Sequence, residues 1–292
     1  MTATSLPSPP ESQPLRAAVW MLGTILSFTL MAVAGRAVSF ALDTFEIMLY
    51  RSLLGVVIVV AVAAWAGTLG QVTRRNRGLH LLRNMAHFTG QNLWFYAVTV
   101  IPLAQVFALE FTTPIWALLL APLFLKEPIT RNGLIAAGLG FAGILLVARP
   151  GSAPISPGLL AAAACAVFFA LTALFTRRLT RTETITCILF YLTTMQAVLG
   201  LIAAGWDGDI ALPDATTLPW LVLIGCAGLL AHFCLTTALS LAPASVVMPI
   251  DFARLPVVAV VGVLFYAETP HPLLFLGAVL ILAGNWWNLT RR

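Results

Sequence analysis

Residues 102–130 read PLAQVFALEFTTPIWALLLAPLFLKEPIT, and 141 positions further on residues 243–271 read PASVVMPIDFARLPVVAVVGVLFYAETPH. Laid over one another, they match Pro102 with Pro243, Val106 with Val247, Glu110 with Asp251, Phe111 with Phe252, Phe124 with Phe265 and Glu127 with Glu268. Rare residues agreeing at one ungapped shift within an apolar background point to a duplicated unit. The same shift carries Phe28 onto Phe169, Arg36 onto Arg177, Tyr50 onto Tyr191, Gly67 onto Gly208 and Gly143 onto Gly284. The duplication therefore runs through nearly the whole chain.

The composition says what surrounds this unit. Of 292 residues, 60% are hydrophobic and 9% charged, too few charges to cover a soluble fold of this length. The apolar residues come in runs of roughly 20, enough for a helix to cross about 30 Å of hydrocarbon. The runs predict spans at about 17–39, 44–66, 79–100, 103–125, 132–149, 157–177, 184–205, 217–239, 243–266 and 271–289. The expected fold is an all-α membrane protein of about ten transmembrane helices. Residues 1–15, rich in Pro and Ser, read as a disordered tail; 16–149 and 150–292 read as the two repeats. Five spans per repeat is an odd number, so the second copy enters the membrane from the opposite face. Such an inverted repeat is a common transporter design, with a solute site between the halves near mid-depth.

The net charge of +5 sits in short clusters between the spans, the pattern of topology signals and not of a nucleic-acid-binding face. Arg16, Arg74, Arg75, Arg77, Arg83, Lys126, Arg131, Arg177, Arg178, Arg181, Arg291 and Arg292 all fall on one side. The positive-inside rule makes that side, with both termini, cytoplasmic. Asp207, Asp209 and Asp214 lie opposite, with Arg149 as the basic exception. Connections are short and hold no phosphate-cradling GxxxxGK[ST] loop. Gly138, Gly140 and Gly143 spell GxGxxG in mid-span, where they suit close helix packing and not a dinucleotide. Cys165, Cys187, Cys226 and Cys234 all lie in apolar runs and read as packing thiols. No spacing suggests a catalytic residue, a metal site or a cofactor. Asn288-Leu289-Thr290 matches a glycosylation sequon on the wrong side, and Trp286 and Trp287 read as interfacial anchors.

Charges deep in a span cost on the order of 2.5–3.5 kcal/mol each by insertion scales, so they face the interior for a reason. Glu110 and Asp251 are such charges, related by the repeat, and Arg254 shares a helix face with Asp251. Arg51 lies about as deep. Substrate or proton binding is one reading of these groups, and an ion pair locking helices together is the other. Asn84, His87, Gln91, Trp94 and Val98 fall on one face of the third span, with Asn92 beside it, and the repeat sets His232 opposite Gln91. This stripe suits either a cavity wall or interhelical hydrogen bonds. Pro114, Pro122, Pro249 and Pro256 in the fourth and ninth spans predict kinks there. The candidate substrate-binding set is thus His87, Gln91, Trp94, Glu110, His232, Asp251 and Arg254, with Glu110, Asp251 and His87 as coupling candidates.

The endings Phe124…Glu127-Pro128 and Phe265…Glu268-Thr269, with Tyr50-Arg51-Ser52-Leu53-Leu54-Gly55 in the second span, resemble the drug/metabolite transporter superfamily in its EamA-type branch. The likeness covers about residues 16–290. It implies ten spans in two repeats and secondary transport of small metabolites across the bacterial inner membrane, with amino-acid export, including the aromatic subgroup, as the leading expectation. An uncoupled facilitator is the nearest alternative, and a membrane-embedded lipid-modifying enzyme a more distant one. The implied partners are a small-molecule substrate and the bilayer, and the sequence carries no signal of oligomeric state. Thr113 and Pro128 become Arg254 and Thr269 in the second copy, so the halves are not equivalent.

Overall fold

A computed structural model describes residues 12–38, 41–101, 103–148, 156–206, 208–266 and 272–290. Arg149, Asp207, Glu268, Arg291, Arg292 and Pro102 lie outside these. Among the described residues the regular structure is helical throughout: α1 Pro14–Val38, α2 Thr44–Trp65, α3 Arg77–Val100, α4 Leu103–Glu110, α5 Thr113–Leu125, α6 Arg131–Ala148, α7 Pro157–Leu179, α8 Ile185–Ala204, α9 Leu218–Leu241, α10 Ala244–Ile250, α11 Arg254–Tyr266 and α12 Pro272–Thr290. The 141-residue shift carries α3 onto α9 and α5 onto α11 residue for residue, and the start of α2 onto that of α8. Gly67 and Gly208, which it also pairs, both take a left-handed φ (68° and 79°) in matching turns, a conformation open to glycine without steric cost. Helix α1 starts at Pro14, so the end of the expected tail is helical.

The fourth and ninth spans are each interrupted at mid-length, where proline was expected to disturb them. Helix α4 stops at Glu110 because Pro114, in the first turn of α5, has no N–H to continue the ladder. Hydroxyls complete the break: Thr113 Oγ1 donates to the Glu110 carbonyl and Thr112 Oγ1 to that of Leu109, both at 2.6 Å. In the second repeat α10, which contains Pro249, passes through a 3-10 turn at Asp251–Ala253 into α11. Both breaks fall at mid-span, where freed backbone groups are tolerated beside a cavity.

The repeats interlock. Helix α1 packs on α9 and, symmetrically, α3 on α7, while α2 meets its own counterpart α8 and α6 meets α12. Close approach at α6–α12 uses Gly143, where a Cβ would stand 2.6 Å from the Gly277 carbonyl oxygen. Gly140 seats Phe252, which lies within the second break. Helices α1, α2, α7, α8 and α9 are long and apolar enough to cross a membrane by length and composition. Helix α3 carries the polar stripe, and the broken pairs are each too short alone. Large apolar side chains stand outward, Leu123 at 74% and Phe275 at 62% exposure; water penalises such a surface and lipid does not.

The two ends of the molecule are tied differently. At the end rich in Arg, Asn76 and Thr73 donate to Glu183 at 2.5 and 2.8 Å, so the loops bearing Arg74–Arg77 and Arg178–Arg181 lie together. Lys126 ends α5 in a left-handed turn, and Glu127 then accepts from Arg177 Nε (3.2 Å), Arg181 (3.1 Å) and the Ala244 N–H (3.1 Å). One carboxylate thus joins α5, α7 and α10. At the acidic end Glu46 closes a capping box with Asp43 on α2 and also accepts from the Ala211 N–H.

Candidate functional site

All seven candidate residues meet in one cavity. His87, Gln91 and Trp94 reach it from α3, His232 from α9, Glu110 from the end of α4, Asp251 from the 3-10 turn and Arg254 from the start of α11. The lining comes in repeat-related pairs: Phe28 with Phe169, Ala32 with Ala173, Gln91 with His232, Glu110 with Asp251, Thr113 with Arg254. The cavity therefore sits on the pseudo-two-fold axis.

Two groups of polar side chains divide it. In the first, Arg254 bridges both acids, 2.6 Å from Glu110 Oε1 and 3.0 Å from Asp251 Oδ2. Trp94 Nε1 donates to the other Glu110 oxygen at 2.6 Å. The guanidinium also lies over the rings of Phe111 and Phe28, 4.9 and 5.6 Å from their centroids, a favourable cation–π placement. Asp251 Oδ1 and Arg254 Nε remain without partners. The ion-pair and cavity-wall readings of the sequence thus coincide, since the same charges hold helices together and line the space.

The second group is a pair of rings. His87 and His232 stand edge-to-face with centroids 4.6 Å apart, His232 also meets Phe28, and His87 faces Phe169. Both histidines are buried, and all four of their ring nitrogens lack hydrogen-bond partners. Buried polar atoms are paired in the great majority of cases, so four unpartnered nitrogens together are unusual. Behind them Arg51 donates to Gln91.

The rest of the α3 stripe departs from expectation. Asn84 turns to α8, where Gln196 Nε2 donates to its backbone oxygen at 2.8 Å. Asn92 donates to the Phe88 carbonyl within its own helix, and Val98 does not line the cavity. Solute contact was expected from the third, fourth, eighth and ninth spans; Met21, Thr24, Phe28 and Met31 add α1, and Phe169 and Thr172 add α7. Apolar wall residues look like core in a sequence, although the Phe28–Phe169 repeat match was a usable signal. Cys165, Cys187 and Cys234 are buried as packing thiols should be, whereas Cys226 is exposed. Asn288, in the discounted sequon, is buried and donates to the Ser245 carbonyl.

The sequence profile of the EamA-like transporter family matches residues 15–149 and again residues 156–290. This chain belongs to that family. An EamA-like transporter carries small molecules through a membrane and is not an enzyme, in keeping with a cavity on the axis between two repeats. Similar proteins include a riboflavin transporter of Brucella anthropi, 33% identical over 212 residues (71% of this chain, 75% of that one). A riboflavin transporter of Vibrio cholerae is 28% identical over 277 residues (93% and 92%). An S-adenosylmethionine uptake transporter of Rickettsia felis is 25% identical over 268 residues (91% and 90%). None of these three names speaks of amino-acid export. A solved crystal structure shares the fold with a TM-score of 0.79 at 18% identity, over 93% of this chain and 95% of that one.

Proposed function

We propose that this EamA-like transporter carries riboflavin, or a closely similar neutral planar heteroaromatic solute, across the bacterial inner membrane by alternating access. The observation that carries the reading is the His87–His232 pair, with four unpartnered ring nitrogens between the aromatic walls Phe28 and Phe169. A flat heterocycle edged with carbonyl and imide groups offers the missing donors and acceptors while its faces pack on the rings. The charged lining of the cavity is Glu110, Asp251 and Arg254, with both acids paired to the one guanidinium. Riboflavin is preferred over S-adenosylmethionine on the higher identity of the riboflavin transporters.

In this reading His87, Gln91 and His232 bind the polar edge, and Trp94 holds the Glu110 end of the wall. Glu110, Asp251 and Arg254 hold the broken helices together, and Asp251 Oδ1 and Arg254 Nε are the groups left to meet the solute's second polar end. Glu110, Asp251 and His87 are the residues through which a proton gradient would couple. The Arg-rich end, with both termini, faces the cytoplasm by the positive-inside rule.

The test is uptake into proteoliposomes of labelled riboflavin, S-adenosylmethionine and an amino-acid panel, with and without a pH gradient. Saturable riboflavin flux, competed by unlabelled riboflavin and not by amino acids, is expected. Flux of an amino acid alone would replace this reading with amino-acid transport. A riboflavin rate equal to that of empty liposomes would remove it.

A further inference from the structure

Away from the cavity, at the Arg-rich end, three side chains far apart in sequence converge. His80 stands in the first turn of α3, Glu183 in the loop after α7, and Cys187 in the first turn of α8. One ligand atom from each lies within 4.8 Å of the other two. We propose that His80, Glu183 and Cys187 form a binding site for a first-row transition-metal dication of the zinc class.

Donor chemistry and distance both fit. A thiolate, an imidazole and a carboxylate together suit a borderline ion such as Zn²⁺, and exclude Mg²⁺ and Ca²⁺, which take oxygen ligands. Metal bonds of about 2.1 Å to nitrogen and about 2.3 Å to sulfur place those donors about 3.6–3.9 Å apart. Cys187 Sγ lies 3.9 Å from His80 Nε2, at that separation and at the long end for a thiol–imidazole hydrogen bond. His80 Nδ1 has no partner and the residue is 1% exposed. The ligands are already held: the His80 ring stacks on Tyr191 with centroids 4.3 Å apart, and Thr73 and Asn76 donate to the Glu183 carboxylate. Such outer partners orient ligating groups.

The repeat supplies an internal control. The 141-residue shift sets Leu221 in place of His80, Leu42 in place of Glu183 and Glu46 in place of Cys187. Both leucines are buried in an apolar cluster at the other end, and Glu46 has its own work in the α2 capping box. The fold thus fills two of the three positions with leucine in one copy, so packing does not require the His80–Glu183–Cys187 trio in the other. On binding, the Cys187 thiol gives its proton to solvent and the thiolate bonds to the metal; water fills the remaining position. The ion links α3 of the first repeat to α8 of the second and so fixes the Arg-rich end. This holds whatever the transported solute.

The experiment titrates Co²⁺ into chelator-treated full-length protein in detergent and reads the thiolate-to-cobalt charge-transfer absorbance. One ion per chain is expected, displaced by Zn²⁺. Cys187→Ser removes the band, His80→Gln weakens binding at least tenfold, and Cys226→Ser, at an exposed thiol, changes nothing. A wild-type protein without the band at millimolar Co²⁺, or a band that survives in Cys187→Ser, overturns the site.

Discussion

The Arg254 cluster and the histidine pair share one cavity but differ in how far their hydrogen bonds are used. Arg254, Glu110, Asp251 and Trp94 spend most of theirs on one another. His87 and His232 spend none. Charges at this depth are tolerated when paired, which makes the first group a scaffold holding the ends of α4 and α11 together. Uncharged polar groups can stay open at lower cost than charges, and in the proposed reading the second group is the part that responds to a solute.

The sharpest way to break this contrast is Arg254→Met. It leaves Glu110 and Asp251 buried without their cation, and the expected loss is about 3–5 kcal/mol of stability, read as thermal unfolding in detergent. An unchanged unfolding midpoint would mean that Arg254 is no scaffold. Trp94→Phe keeps the ring and removes the N–H donated to Glu110; about 1–3 kcal/mol should be lost for the unpaired acceptor. His232→Gln gives the second wall the residue of the first. Riboflavin affinity should fall about tenfold, ~1.4 kcal/mol, with the unfolding midpoint hardly moved. A large fall in stability with unchanged affinity would reverse the roles of the two groups.

The smallest expected effect lies outside the membrane. Exposed Asp214 accepts from the Thr216 hydroxyl and N–H and from the Thr217 N–H. These bonds, the Thr216 hydroxyl first, pull its pKa down from 3.8 to about 2. A carboxylate with a depressed folded pKa stabilises above its unfolded value and loses that contribution as pH falls through the folded one. The difference in unfolding midpoint between wild type and Asp214→Ala should therefore be constant above about pH 4 and fade toward pH 2. A difference independent of pH down to 2 would assign the loop's order to other contacts.

Much of this was legible in the sequence. The 141-residue shift anticipates every described helix pair, because a duplicated sequence under the same bilayer constraint folds twice the same way. Glu110, Asp251 and the α3 stripe were visible because polar residues in hydrocarbon need a reason. The form of the interruptions in the fourth and ninth spans was not, since Pro114 and Pro249 signal a disturbance without saying whether a turn or a 3-10 segment takes it up. Phe28 and Phe169 were matched by the repeat yet not recognised as wall, because an aromatic residue facing a solute and one facing core are chemically alike. The His80–Glu183–Cys187 cluster escaped because its members come from different repeats and share no local spacing.

The grip of Glu127 on Arg177, Arg181 and the Ala244 N–H carries a kinetic consequence. If this end opens in the proposed cycle, Glu127 must release its donors together, and the Arg177 bonds to the Leu239 and Ser240 carbonyls and the Arg181 bonds to the Leu125 carbonyl must break as well. Water and dissolved ions reach this contact, since Arg181 is 44% exposed; the step should quicken as ionic strength rises, while the buried charges at mid-depth stay indifferent to salt.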